Sequence, residues 1–373
     1  MARLKVGLVG CGAIAQIQYL PLLRQAPGEF EISALSDLSA ELLSALGEAY
    51  QVPPERRFRD YREMVRSDFD AVIVCSSGSH AGPTIAAARA GKHVLVEKPM
   101  CTTAAEADEM VAAAEAAGVV LMVAYMKRYN PAYRYAVARI HEMSDVRFVQ
   151  VNHLHPDNSL HVSKFEVTRA GDIPQQAREE ATAEHARLVA EALGFPAPDD
   201  LPADILRAYT TVLGSMIHDI GNLHGAFGVP VRVLSTEIWA EGRGISTVLD
   251  YGDDKRAVCT WVDLPELWDF QETLEVYGSR ERVLVSFPTG FSKGLPTTVT
   301  LRGTDEDQNP WRKELSWQED DFELELHHFR DCVLAGRRPD TDGRSAADDI
   351  GLVRDIVLAH LRREAVERGR HAN

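Results

Sequence analysis

Long apolar runs are missing from this chain of 373 residues. No stretch approaches the roughly eighteen apolar residues a bilayer-spanning helix requires, so no membrane anchor is expected. Cysteine is scarce. The five present, Cys11, Cys75, Cys101, Cys259 and Cys332, are odd in number, scattered and without a CxxC pair. That excludes a disulfide framework and a thiolate zinc site and predicts reduced thiols. Basic residues are in deficit, 40 against 56 acidic, for a formal net charge of −16. A surface of that sign repels phosphate backbones and anionic headgroups, so neither a nucleic acid nor a membrane surface is expected as partner. A basic-then-apolar leader is also missing, since the chain enters a strand at once, and a cytoplasmic protein is expected. What is present is ordinary globular composition, 45% hydrophobic and 26% charged, in a chain too long for one core; two domains are the prior.

Alternation sets the organisation. From residue 4 to about 125, apolar runs (Lys5–Val9, Ile32–Leu35, Ala71–Cys75, His93–Val96, Val119–Val123) alternate with amphipathic stretches. This predicts an α/β, doubly wound parallel sheet over residues 1–125. After Asn130-Pro131 the pattern changes: a helix to about Met143, a strand over Val146–Leu154, then period-2 stretches near Val231–Ile238, Ser246–Asp250, Arg256–Trp261, Gln271–Tyr277 and Arg282–Ser286. Strands that neighbour strands predict a second, α+β domain over 126–373, built on a large, mostly antiparallel open sheet. An insertion over about 157–203 carries a polar helix, Pro174–Leu193, stopped by Gly194 and Pro196; it is expected to cover the active site or bridge subunits. Amphipathic helices are predicted over Phe322–Leu334 and Ala346–Leu361, the latter able to pack back on the first domain.

The first alternating unit opens on Val9-Gly10-Cys11-Gly12-Ala13-Ile14-Ala15, a strand that turns on glycines into a helix. Gly10 can take a tight turn, Gly12 lets the backbone approach a pyrophosphate, and the helix start offers unpaired N–H groups to negative charge. Gly10, Gly12, Ala13 and Ile14 are therefore candidate cofactor contacts. Asp37 follows the second strand, 25 positions after Gly12, where a carboxylate accepts from an adenosine ribose; with Leu38 rather than Arg next, NAD is favoured over NADP. The strand His93–Val96 ends in Glu97-Lys98-Pro99 at the carboxyl edge of the sheet. An ammonium there can stabilise charge on a substrate oxygen, and Pro99 restricts Lys98 to extended backbone.

Taken with Ala90-Gly91-Lys92-His93-Val94-Leu95-Val96-Glu97-Lys98-Pro99 and Arg128-Tyr129-Asn130-Pro131, these features resemble the Gfo/Idh/MocA oxidoreductases, the family of glucose-fructose oxidoreductase and inositol dehydrogenase. The resemblance implies an NAD(P)-binding Rossmann domain followed by a substrate and oligomerisation domain, with homodimers or homotetramers formed through the C-terminal sheet. It implies that Lys98 is the catalytic lysine, and that Cys75, Ser76, Ser77 and His80, with Glu97, lie along the cofactor. This chain departs by a shorter loop there without Thr-Pro-Asn. Arg128 and Tyr125 stand where the family places cofactor and substrate contacts. Its second signature is Asp followed four residues later by His; here His218 matches, Gly228 follows it by ten, and Gly214 holds the Asp position. His218 can serve as general base and acid near neutral pH. Asp219, about 100° further round the helix, and Asn222 are substrate candidates, Asp219 also as partner to a base from another element.

His153 and His155 share one face of a strand, but with no carboxylate or thiolate cluster evident in the sequence, no metal is proposed; both are expected to face solvent or the substrate cleft. Trp261, Trp268 and Trp311 are candidates for a sugar-binding face or for sheet aromatics. The reading is a dehydrogenase or reductase moving hydride between NAD(P) and a secondary alcohol or ketone of a carbohydrate-like small molecule. A non-catalytic cofactor-binding sensor, favoured by Gly214, and an imine reductase are the alternatives.

Overall fold

A computed structural model describes residues 3–291 and 293–371. The chain forms two compact units: Met1–Tyr125 with Ser163–Ala192 and Glu325–Ile350, and Met126–Val162 with Leu193–Leu324 and Gly351–Asn373.

In the first unit, β1 (Leu4–Val9), β2 (Phe30–Ser36), β3 (Arg57–Phe58), β4 (Ala71–Val74), β5 (His93–Glu97) and β6 (Leu121–Ala124) form a six-stranded sheet. Its order is β3-β2-β1-β4-β5-β6, and every pairing is parallel. This is the expected doubly wound sheet, with its topological switch between β1 and β4. Helices cover both faces, so the central strands read as continuous apolar runs; Val72, Ile73, Val74, Val94, Leu95 and Val96 are fully buried. β3 escaped the sequence because two residues carry no periodicity. The helices named below are α1 (Leu20–Gln25), which continues a π-helical turn over Ala15–Tyr19, and α2 (Ala40–Ala49).

In the second unit, β7 (Phe148–His155), β8 (Arg232–Trp239), β9 (Gly244–Asp250), β10 (Arg256–Asp263), β11 (Gln271–Tyr277), β12 (Glu281–Phe287), β13 (Thr297–Thr304) and β14 (Pro310–Trp317) form an eight-stranded sheet. The order is β14-β13-β12-β11-β7-β10-β9-β8, antiparallel except where β7 meets β10. The large, mostly antiparallel sheet is as expected; β13 and β14 were not. β14 is an edge strand with exposed Arg312, Lys313 and Glu314 in its middle, which hides its alternation, as edge strands commonly do. The insertion's helix runs over Gln175–Leu193, and the two C-terminal helices over Asp321–Ala335 and Gly343–His371. Although polar along most of its length, the insertion helix buries Leu188, Val189 and Ala190 near its end. All five cysteines are buried free thiols. Among the described residues, no helix is long and apolar enough to cross a membrane.

Candidate active site

The first unit gathers its candidate groups at the carboxyl ends of β1, β4 and β5. Gly10 adopts a φ of +92°, and a Cβ there would stand 2.4 Å from the Ser76 backbone nitrogen. The position therefore requires glycine twice over, by conformation and by the approach of the chain leaving β4. A Cβ at Gly12 would meet nothing within 4 Å, so that face of the turn is open to a ligand. The helix beyond it, whose first N–H groups have no partner within the helix, widens into the π-helical turn, a local form frequent at functional sites. Asp37 bridges the turn and α2: its Oδ2 accepts from the Cys11 N–H at 2.7 Å and its Oδ1 from the Ser39 N–H at 2.8 Å.

His80 is buried, with ring nitrogens 2.7 Å from the carbonyl oxygens of both Ser76 and Pro99. Its ring is thus used on backbone: it ties the loop after β4 to the turn that carries Lys98. Cys75 also faces inward, its Sγ 3.1 Å from the Gly10 carbonyl, and burial pushes its thiol well above the usual range. In this loop Ser76 and Ser77 are the more accessible. The Glu97 carboxylate points into the core, accepting from the Tyr19 hydroxyl at 2.8 Å and the Lys98 N–H at 3.1 Å. Burial pushes its pKa up, against the opposing pull of Lys98 and Tyr19. The Lys98-Pro99 peptide bond is cis, and Lys98 is half-buried. Tyr125 is buried at the end of this unit.

The second unit corrects the expectation for the paired histidines. Alternation along β7 carries Val149, Val151 and His153 to the buried face, and His153 is 1% exposed. In register it faces Trp261 on β10 and Glu272 on β11, which places all three in one row across the sheet. A carboxylate cluster does surround it. Its Nδ1 lies 2.8 Å from Asp219 Oδ2 and its Nε2 3.9 Å from Glu272 Oε2. Asp219 comes from the helix Ile217–Phe227, which a π-helical turn over Val212–Met216 precedes. It therefore partners a base from another element. Burial pushes the Asp219 carboxyl up, and the neighbouring His153 opposes this.

Glu272 in turn pairs with Lys127, whose ammonium also sits 5.4 Å from the centre of the Phe287 ring and 5.8 Å from that of Phe270. His153, Asp219 and Glu272 present ligand atoms within 4.8 Å of one another, a donor set of divalent-metal type. Lys127 already supplies positive charge to Glu272, the carboxylate it pairs with.

His155 stacks on His153 at 5.4 Å and 18°, with Trp261 and Phe270 beside both. Burial lowers the His155 pKa. Trp261 is buried and donates to Ser215 Oγ at 2.9 Å, whereas Trp268 is 70% exposed. Arg128 packs along the helix Ile217–Phe227 at Gly225, where a Cβ would meet its Nε at 2.8 Å. Asn222 is buried, and its carbonyl accepts from the Tyr133 hydroxyl. His218 is half-buried on the same helix as Asp219. Lys127 and Glu272 escaped sequence reasoning; alternation of Glu272 with Leu274 and Val276 was the available signal that this carboxylate lies inside.

Residues 4–125 match the family described as "Oxidoreductase family, NAD-binding Rossmann fold", GFO_IDH_MocA. Inositol 2-dehydrogenase of Paracoccus denitrificans is 38% identical over 133 residues, 35% of this chain and 39% of that protein. A scyllo-inositol 2-dehydrogenase (NADP(+)) of Bacillus subtilis is 30% identical over 147 residues, 39% of this chain and 43% of its own length. The chain thus spans about two-fifths of the curated relatives it matches. Among solved structures, the aldose-aldose oxidoreductase of Caulobacter crescentus complexed with glycerol superposes with a TM-score of 0.72 at 22% identity, over 97% of this chain and 98% of that one; the fold is shared.

Proposed function

We propose that this protein, whose residues 4–125 match the Gfo/Idh/MocA oxidoreductase family, is an NAD(P)-dependent dehydrogenase or reductase acting on a secondary alcohol or ketone of a sugar, cyclitol or polyol derivative. One observation carries the reading. The open glycine turn after β1, the loop after β4 and Lys98 after β5 meet at one sheet edge, and His80 links the second to the third. Open α/β sheets bind ligands at that edge.

The residues fit a dinucleotide. Gly12 leaves room on the turn, the N–H groups at the following helix start suit a pyrophosphate, and the Asp37 carboxylate suits ribose hydroxyls. When bound, the nicotinamide supplies hydride chemistry. Lys98 donates to the substrate oxygen and stabilises the negative charge that grows as its proton leaves. His218 takes or returns that proton. Asp219, by holding His153 on β7, ties the helix that carries His218 to the sheet. We also infer assembly through the open sheet, consistent with exposed Val231, Leu234 and Trp239 in and beside β8. Calorimetry with NAD and NADP tests the first half of the reading; reduced-nicotinamide formation with a panel of polyols, cyclitols and sugars tests the second. Absence of dinucleotide binding overturns it.

A further inference from the structure

The segment just before the insertion helix lies across the cofactor edge of the first unit. Thr168 exchanges two hydrogen bonds with Gln16 on the helix after the glycine turn: Gln16 Nε2 donates to its carbonyl at 2.9 Å, and its N–H donates to Gln16 Oε1 at 2.8 Å. Gln16 also donates to the Cys11 carbonyl at 2.8 Å, which fixes that anchor to the turn itself. Four residues later the chain reaches the start of α2. Asp172 Oδ2 accepts from the N–H groups of Ala40 at 2.8 Å and Glu41 at 3.3 Å, its Oδ1 accepts from the Ser39 hydroxyl, and the Gly171 N–H donates to Glu41 at 2.9 Å. Residues 168–172 thus form a strap anchored at both ends, from the pyrophosphate turn to the helix that begins three residues past Asp37.

The donors Asp172 takes are those that would otherwise be offered to a phosphate. Ser39 caps α2 and accepts from the Leu42 N–H; the Ala40 and Glu41 N–H groups are the remaining unpaired donors of the first turn. A phosphate on the ribose 2′ position, carrying about −1.5 to −2 charge at neutral pH, would need them. Here they are filled by a carboxylate, and Asp37 stands two residues before Ser39 as a second one. The Ser39 hydrogen bond holds the Asp172 carboxyl below its usual range, so it is ionised wherever the cofactor would bind. One opposing charge is close: Arg59 donates to the Leu38 carbonyl at 2.5 Å.

Resting on the dinucleotide-binding reading above, we infer that Asp172, delivered by the insertion, is a specificity-determining residue that occupies the 2′-phosphate position and selects NAD over NADP. A free 2′-hydroxyl has no quarrel with the strap and can still donate to Asp37. The insertion therefore acts on cofactor choice, and the preference has two carboxylates behind it: Asp37→Ala alone leaves Asp172 on the α2 N-terminus.

The test is calorimetric titration of the full-length protein and its Asp172→Asn variant with NAD and with NADP. The amide keeps an acceptor for the α2 N–H groups but removes the charge. Thermal unfolding of both proteins shows that the variant is folded, and Asp172→Ser serves if the amide variant is not. The expected result is a parent that prefers NAD, and a variant that gains about tenfold or more in NADP affinity with NAD affinity within about twofold. Unchanged NADP affinity, an equal gain for both cofactors, or a parent that prefers NADP overturns the assignment while leaving dinucleotide binding intact. A parent that binds neither overturns the dinucleotide reading itself.

Discussion

His153 Nδ1 and Asp219 Oδ2 stand 2.8 Å apart with both side chains buried, and the other ring nitrogen faces Glu272, itself paired with Lys127. Four ionisable groups from three strand or turn elements and one helix thus share one apolar environment. The helix of that set also carries His218. At Gly214, where the pattern this chain resembles sets a carboxylate one turn before His218, there is none; the Asp219–His153 contact ties the helix to β7 by a different route.

A buried ion pair contributes little net stability but is costly to break, because one partner is left charged in a low dielectric. Lys127 and Glu272 have side chains 5% and 1% exposed. Glu272→Ala is expected to destabilise the fold by about 3–5 kcal/mol, and the double variant Lys127→Met/Glu272→Leu by less than Glu272→Ala alone. Denaturant titration of the parent and these two variants measures this; a double variant destabilised as much as Glu272→Ala, or more, would rule out the pairing.

Asp321, half-buried and accepting from Asn130, has its pKa pushed from an ordinary 3.8 to about 6, chiefly by its desolvation. A raised carboxyl pKa means that the fold prefers the protonated form. Its contribution is full below about pH 4 and is lost as pH rises through about 6. Asp321→Asn, which mimics the neutral acid, is expected to match the parent near pH 4 and to exceed it above pH 7 by up to about 3 kcal/mol. Unfolding free energies that differ equally at both pH values would contradict this.

The two turn glycines are expected to respond differently. Gly10→Ala places a methyl on the Ser76 backbone at a φ of +92° and should cost folding stability outright. Gly12→Ala meets open space and should leave unfolding within about 0.5 kcal/mol of the parent, while weakening dinucleotide binding because the methyl enters the ligand's side of the turn. Thermal unfolding and calorimetry on both variants separate the two effects. An unfolded Gly12→Ala, or one that binds as the parent does, would count against the site.

Alternation made the first unit legible: apolar strands buried on both faces read as continuous runs, and the glycine turn lies where Gly10 and Gly12 predicted. The second sheet was legible where strands alternate cleanly and illegible at β14, whose exposed charges mask its period. Alternation put His153 and His155 on one face, but the carboxylates around His153 were illegible because Asp219 and Glu272 come from distant elements of the chain. Asp172 could not have been found at all, since its contacts to Ser39 and Ala40 join residues more than 130 positions apart in the chain.

The most direct test of the central claim is turnover and NAD affinity in Lys98→Ala, measured with whichever polyol, cyclitol or sugar gives reduced nicotinamide with the parent. Removing an ammonium that stabilises charge on the reacting oxygen is expected to lower turnover by about 10²–10⁴-fold while NAD affinity stays within about threefold. Turnover within about threefold of the parent would contradict the proposed chemistry, and tight NAD binding with no turnover across the whole panel would make this a cofactor-binding sensor instead.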